Sequence, residues 1–126
     1  MSLGNGTHLL IDGRTERPIQ HDDVKRFLER CPHVIEMTPL LNPLVYRGDS
    51  GGWAGVVVIA ESHIAVHSQG TEVHVDIFSC KSFDQDRAIQ EAAERLGLVE
   101  LRHQALQRGW LAHQPASPQP MEATNG

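Results

Sequence analysis

The 126-residue chain has two cysteines, no run of Lys or Arg longer than two, and no apolar stretch near the roughly 20 residues of a bilayer-spanning helix. Each shortage excludes something. Cys31 and Cys80 form no CxxC pair, so neither a zinc knuckle nor a disulfide framework is indicated, and free thiols are expected. With 16 acidic against 11 basic side chains and a formal charge of -5, the chain lacks the basic footprint of a phosphate-backbone binder. Neither nucleic acid nor membrane is expected as a partner. The start, MSLGNGTHLL, has no charged segment followed by an apolar one, which points to a cytoplasmic protein. One further absence is local: in VVVIAESHIAVHS, residues 56–68, two strand-like runs meet without Gly, Pro or Asn. Glu61, Ser62 and His63 stand there instead.

What is present predicts one domain over residues 1–113, with a Pro-, Ala- and Gln-containing tail over 114–126 expected to be disordered. HLLID (residues 8–12) reads as a strand ending near Gly13. Val24, Phe27, Leu28 and Cys31 recur at helical spacing, with Pro32 as the stop and HVIEM as a second strand. Residues 38–52, with two prolines and three glycines, read as a long irregular connection. Three β-rich segments follow, AGVVVIA, SHIAVHS and TEVHVDIFSC, the last two joined as a hairpin at Gln69–Thr71. Along the third, Val73, Val75 and Ile77 point one way, while Glu72, His74, Asp76, Phe78 and Cys80 point the other. SFDQDRAIQEAAERLGL predicts a helix with Ser82 and Gln85 as a capping box and Gly97 as C-cap, and LVELRHQAL a final strand. The order predicts an α+β fold, a two-layer αβ sandwich with a mainly antiparallel sheet and helices on one face.

Spacing alone leaves three readings of the polar cluster at residues 61–80. In the first, its members are an exposed bend and solvated strand faces. In the second they bind metal; but His63 and His67 on one strand are roughly 13 Å apart, too far to share an ion, and His74 with Asp76 gives only two ligands. No metal site is therefore expected. In the third, a Ser, a His and a Cys on neighbouring strands supply a nucleophile, a base and an acid, though without a GxSxG elbow.

GVVVIAESHIAVHS followed by VDIFSC resembles the processing and active-site region of the prokaryotic S-adenosylmethionine decarboxylases, small pyruvoyl-dependent enzymes of polyamine synthesis. The likeness reaches back to GTHLLID and forward through the capped helix, about residues 6–103. It implies a proenzyme cut between Glu61 and Ser62, with Ser62 as precursor of a covalent pyruvoyl cofactor and Glu61 supplying the attacked carbonyl. It also implies His67 as processing base and Cys80 as the proton donor after decarboxylation. The pyruvoyl keto carbon would form a Schiff base with the amine of a small amino-acid-type substrate, its amide carbonyl acting as electron sink. Asp12 stands where the family has a Glu beside the active site. The resemblance further implies a homodimer of cleaved protomers, with a β chain of residues 1–61, an α chain of residues 62–126 and the active site between subunits.

Three positions depart from the family pattern. After His67 the family continues Thr-Trp-Pro-Glu, here replaced by Ser68-Gln69-Gly70-Thr71; the family's aromatic in the loop before the GVVV strand is absent, Gly48 or its neighbours standing there; and Ala54 stands where the family has a Ser that assists processing. Those aromatics sandwich adenine in the family, each face contributing roughly 1 to 3 kcal/mol. Trp53 and Tyr46 are the nearby replacements. S-adenosylmethionine is thus the family-typical substrate. L-ornithine or L-arginine is the alternative, with Glu72 and Asp76 available to meet a cation. A non-catalytic homologue acting as a binding or regulatory partner is a second alternative, opposed by the intact set Glu61, Ser62, His67 and Cys80.

Overall fold

The stripe Val24, Phe27, Leu28 and Cys31 winds into helix α1 (His21–Val34), and all four side chains are fully buried in the computed structural model, which describes residues 6–110. The Asp23 carboxylate accepts the Gln20 N–H at 2.8 Å, closing the first turn. The alternating segments form β1 (Gly6–Thr15), β2 (Leu44–Arg47), β3 (Trp53–Ile59), β4 (Ser62–Gln69), β5 (Glu72–Ser79) and β6 (Leu98–Arg108), with helix α2 (Gln85–Leu96) before the last strand. They make one six-stranded sheet in the order β2-β3-β4-β5-β1-β6, every neighbour antiparallel. Both helices cover the same face. This is the expected two-layer α+β sandwich.

The core lies between those layers. Leu9 and Ile11 of β1, Val57 and Ile59 of β3, Ile64 and Val66 of β4, and Val73, Val75 and Ile77 of β5 meet Phe27, Leu28, Ala88, Ala92 and Leu96 of the helices. α1 comes so close to β3 at Gly55 that an added Cβ would lie 2.8 Å from Leu28 and Val24. Only glycine permits that approach.

Four local expectations are corrected. HVIEM is not a strand: α1 runs through Pro32 to Val34, and Ile35–Met37 closes it, with Met37 N–H on the Pro32 carbonyl at 2.8 Å and Glu36 in the left-handed region at φ 63°. A proline in the last turn removes one N–H and leaves the later turn bonds intact, so the helix does not stop there. The connection over 38–52 contains edge strand β2, its apolar Leu44 and Val45 paired to Val56 and Gly55. β1 extends to Thr15 rather than ending at Gly13, because β5 and β6 both pair with it. The cap of α2 is Asp84, which accepts the Arg87 N–H at 3.1 Å, instead of Ser82. Gly97 does end the helix, at φ 72°. The tail expected to be disordered, 114–126, lies outside the described residues.

Candidate active site

The β3–β4 hairpin turns on Ala60 and Glu61 alone, since Ile59 pairs with Ser62. No glycine is present to take the positive φ of so tight a turn, and Glu61 takes it at φ 60°. For a residue with a Cβ that conformation costs about 1 to 2 kcal/mol. The strained residue is the one whose carbonyl joins it to Ser62.

Strand alternation then sends Ser62 toward the helices, together with Ile64 and Val66, and leaves its side chain 8% exposed. Its hydroxyl donates to Ser79 Oγ at 2.7 Å. Ser79 is 1% exposed and lies directly opposite on β5. The same Ser79 oxygen accepts the Lys81 N–H at 2.9 Å, while the Ser79 hydroxyl is directed at Met37 Sδ, 3.9 Å away. On the other side of the Glu61–Ser62 peptide, the Cys80 N–H donates to the Glu61 carbonyl oxygen at 3.3 Å. A buried serine hydroxyl and a carbonyl that accepts a backbone hydrogen bond thus flank one peptide bond, the two groups that an N-to-O acyl shift uses.

Glu61, Ser62 and Cys80 are brought together. His67 does not join them within one chain: five residues along β4 it is roughly 16 Å from Ser62, on the opposite, uncovered face of the sheet. There it belongs to a row running across the strands, Tyr46, Ala54, His67, His74, Asp12 and Arg102. His74 Nδ1–H donates to the Asp12 carboxylate at 2.7 Å. Asp12, Glu72 and His74, with Arg14, Glu100 and Arg102, line an open depression of about 380 Å³. It lies five to seven residues along the hairpin from Ser62, roughly 16 to 23 Å. Asp76 lies between the two ends and accepts from His8 Nε2 at 3.2 Å.

Two features escaped the sequence reading. Ser79 was legible in principle: counting outward from the Gly70–Thr71 turn, with Gln69 facing Glu72, places residue 79 opposite Ser62. Phe78 was not, because its neighbours come from three strands: His63 at 5.9 Å, His8 at 6.2 Å edge-on, and the Arg108 guanidinium at 5.8 Å. Trp53 faces α1, edge-on to His21, with Arg47 over its ring at 5.2 Å; Tyr46 stands 58% exposed on the uncovered face. The two thiols are unlike. Burial, and then the nearby Glu91, push the Cys31 thiol up to about 12, whereas Cys80 is half-buried at the strand end. Among the described residues no three His, Cys, Asp or Glu side chains are grouped as metal ligands, and no helix is long and apolar enough to cross a membrane.

Comparison with known proteins gives one consistent picture. The family model described as S-adenosylmethionine decarboxylase matches residues 7–109. An S-adenosylmethionine decarboxylase proenzyme of Clostridium botulinum strain Loch Maree is 26% identical over 110 residues, spanning 83% of this chain and 95% of the relative. That of strain Langeland is 27% identical over 94 residues, 65% of this chain and 81% of the relative. The crystal structure of the adenosylmethionine decarboxylase from Aquifex aeolicus VF5 superposes with a TM-score of 0.67 at 22% identity, covering 90% of this chain and 98% of that one. That last likeness concerns the fold.

Proposed function

The chain belongs to the S-adenosylmethionine decarboxylase family, and from that premise we propose that it is a self-cleaving proenzyme of a pyruvoyl-dependent decarboxylase, cut between Glu61 and Ser62. The observation that carries the reading is the Glu61–Ser62 peptide itself. Its carbonyl accepts from Cys80 N–H, its serine hydroxyl is held in a buried site, and Glu61 is in a left-handed conformation. In the cut, the Ser62 Oγ–Glu61 C bond forms, the Glu61 C–Ser62 N bond breaks, and the hydroxyl proton ends on the freed amine. The Cys80 N–H bears the charge that develops on the carbonyl oxygen. Loss of the Ser62 Cα proton to a base then breaks the Cβ–O ester bond, releasing Glu61 as a carboxylate. The dehydroalanine left behind takes up water and loses ammonia.

A pyruvoyl group at position 62 supplies an electrophilic carbonyl for a substrate amine and an electron sink for departing CO2. The remaining work falls to side chains. Cys80 returns the proton to the substrate carbon, and its place one residue beyond the partner of Ser62 supports that role. His67 is the processing base, acting across a dimer on the backbone of the Glu61–Ser62 strand end of a second copy, since within one chain the two residues are roughly 16 Å apart along β4. A homodimer joined through the uncovered face agrees with the exposed Leu44, Tyr46, Val58 and Leu106 there.

S-adenosylmethionine is the proposed substrate. L-ornithine or L-arginine is the second reading, favoured by a β4–β5 turn that carries no ring and by Asp12, Glu72 and Asp76 sharing the uncovered face. Mass spectrometry of the purified protein, followed by CO2 release from S-adenosylmethionine, arginine, ornithine and lysine in parallel, tests all of this. Two fragments meeting at Glu61/Ser62, the second blocked at its N-terminus, and release from one substrate are expected. A chain that stays whole and releases no CO2 refutes the enzyme and leaves the non-catalytic homologue.

A further inference from the structure

We infer that Ser79 is a positioning residue for self-cleavage: its oxygen holds the Ser62 hydroxyl as a hydrogen-bond donor, leaving the Ser62 lone pairs free to attack the Glu61 carbonyl. The inference rests on the cut proposed above.

The direction of the hydrogen bond follows from counting partners. A serine hydroxyl has one proton and two lone pairs. At Ser79 the proton is directed at Met37 Sδ (3.9 Å), and the oxygen accepts the Lys81 N–H (2.9 Å). The remaining lone pair is filled by the Ser62 hydroxyl at 2.7 Å. Had Ser79 turned its proton onto Ser62, the nucleophile would be an acceptor and one of its lone pairs would be occupied. Donation has the opposite effect, drawing the proton of Ser62 outward and raising electron density on its oxygen.

Burial makes the arrangement specific. Ser62 and Ser79 are 8% and 1% exposed, so both hydroxyls are largely shielded from bulk solvent. The register Ser62↔Ser79 is set by the Gly70–Thr71 turn, and the next residue of the same strand end, Cys80, places its N–H on the Glu61 carbonyl. One short segment, Ser79–Cys80, therefore grips both reacting partners of the peptide: the nucleophile through a side chain and the electrophile through the backbone. Nothing in the decarboxylation chemistry itself calls for a hydroxyl at position 79.

The test follows cleavage of full-length wild type, Ser79→Ala, Ser79→Thr, Ser79→Cys and Ser62→Ala by intact mass over time, with circular dichroism melts of each. Wild type is expected to cut and Ser62→Ala to stay whole. Ser79→Ala should cut about tenfold more slowly or worse, because a mispositioned nucleophile loses its near-attack geometry. Ser79→Thr keeps the oxygen and should restore the rate. Ser79→Cys, close in size but a weak acceptor, should remain slow even at an unchanged melting temperature, which separates positioning from packing and serves where the alanine variant does not fold. If wild type cuts and Ser79→Cys cuts equally fast, the role of Ser79 is refuted while self-cleavage stands. If wild type itself never cuts, both fall together.

Discussion

The two faces of the sheet share every strand and differ in what covers them. Under the helices lie Leu9, Ile11, Val57, Ile64, Val66, Val73, Val75 and Ile77, all essentially without solvent contact. The other face carries His8, His63, His67, His74, Asp12 and Asp76 among exposed apolar side chains such as Leu44 at 63% and Tyr46 at 58%. Because successive residues alternate between the faces, the polar run of β4 is divided: Ser62 goes inward and His67 outward. One face holds the core and the buried Ser62 hydroxyl, and the other carries imidazoles and carboxylates. They meet only at the strand end, where Glu61, Ser62 and Cys80 adjoin.

The largest expected contrast is in stability. Phe27→Ala should cost about 3 to 5 kcal/mol in denaturant unfolding, since it leaves a cavity between α1 and the sheet. Tyr46→Ala in dilute protein should cost less than about 0.5 kcal/mol, as a solvated surface site does. Equal costs at high dilution would mean that the second face is not bare. Next is association. Val58→Glu places a charge on the uncovered face near the β3–β4 turn and should weaken a dimer joined through that face by about 2 kcal/mol, roughly 30-fold in dissociation constant by sedimentation. An unchanged constant would move the interface elsewhere.

The thiols give a third, smaller contrast. Ellman's reagent should label Cys80 in the folded protein and reach Cys31 only on unfolding. Cys31 is raised from 9.0 to about 12 in the folded state, by burial first and Glu91 second, so both states hold the proton below pH 9 and stability is unaffected there. Above pH 9 the unfolded thiol ionises and the folded one does not. Stability should fall by about 1.4 kcal/mol per pH unit until about pH 12. Cys31→Ala should flatten that slope, and a slope that survives the substitution would assign it to other groups.

The covered face was largely legible in the sequence, and the uncovered one only in part. Helical spacing at Val24, Phe27, Leu28 and Cys31 and alternation at Val73, Val75 and Ile77 are local signals, and burial follows from them. β2 was hidden because an edge strand of four residues among prolines and glycines needs only one partner. Pro32 misled because the rule against proline in helices weakens in the last turn. At the site, alternation within β5 separated Cys80 correctly from the core. That Ser62 and His67 part company follows from the same parity along β4, five being odd. The pairing of Asp12 with His74 and of Asp76 with His8 depends on β1 lying beside β5, a long-range choice of topology that no local pattern in either strand records.

The smallest effect concerns the residue that joins the faces. Glu61→Gly removes the cost of φ 60° in the folded chain, about 1 kcal/mol, but glycine also adds a similar entropy to the unfolded chain. In a Ser62→Ala background, where nothing is cut, the two terms nearly offset and the unfolding free energy should barely move. The proposed cleavage would be different, because it would start from the folded state and not sample the unfolded one. If the strain at Glu61 is released as the peptide bond opens, Glu61→Gly alone should slow the cut by about fivefold, the factor corresponding to about 1 kcal/mol. Glu61→Ala keeps the Cβ and the strain while removing the carboxylate, so it should cut at close to the wild-type rate. A glycine variant as fast as wild type would mean that the left-handed turn only reverses the chain; an alanine variant as slow as glycine would shift the effect to the carboxylate.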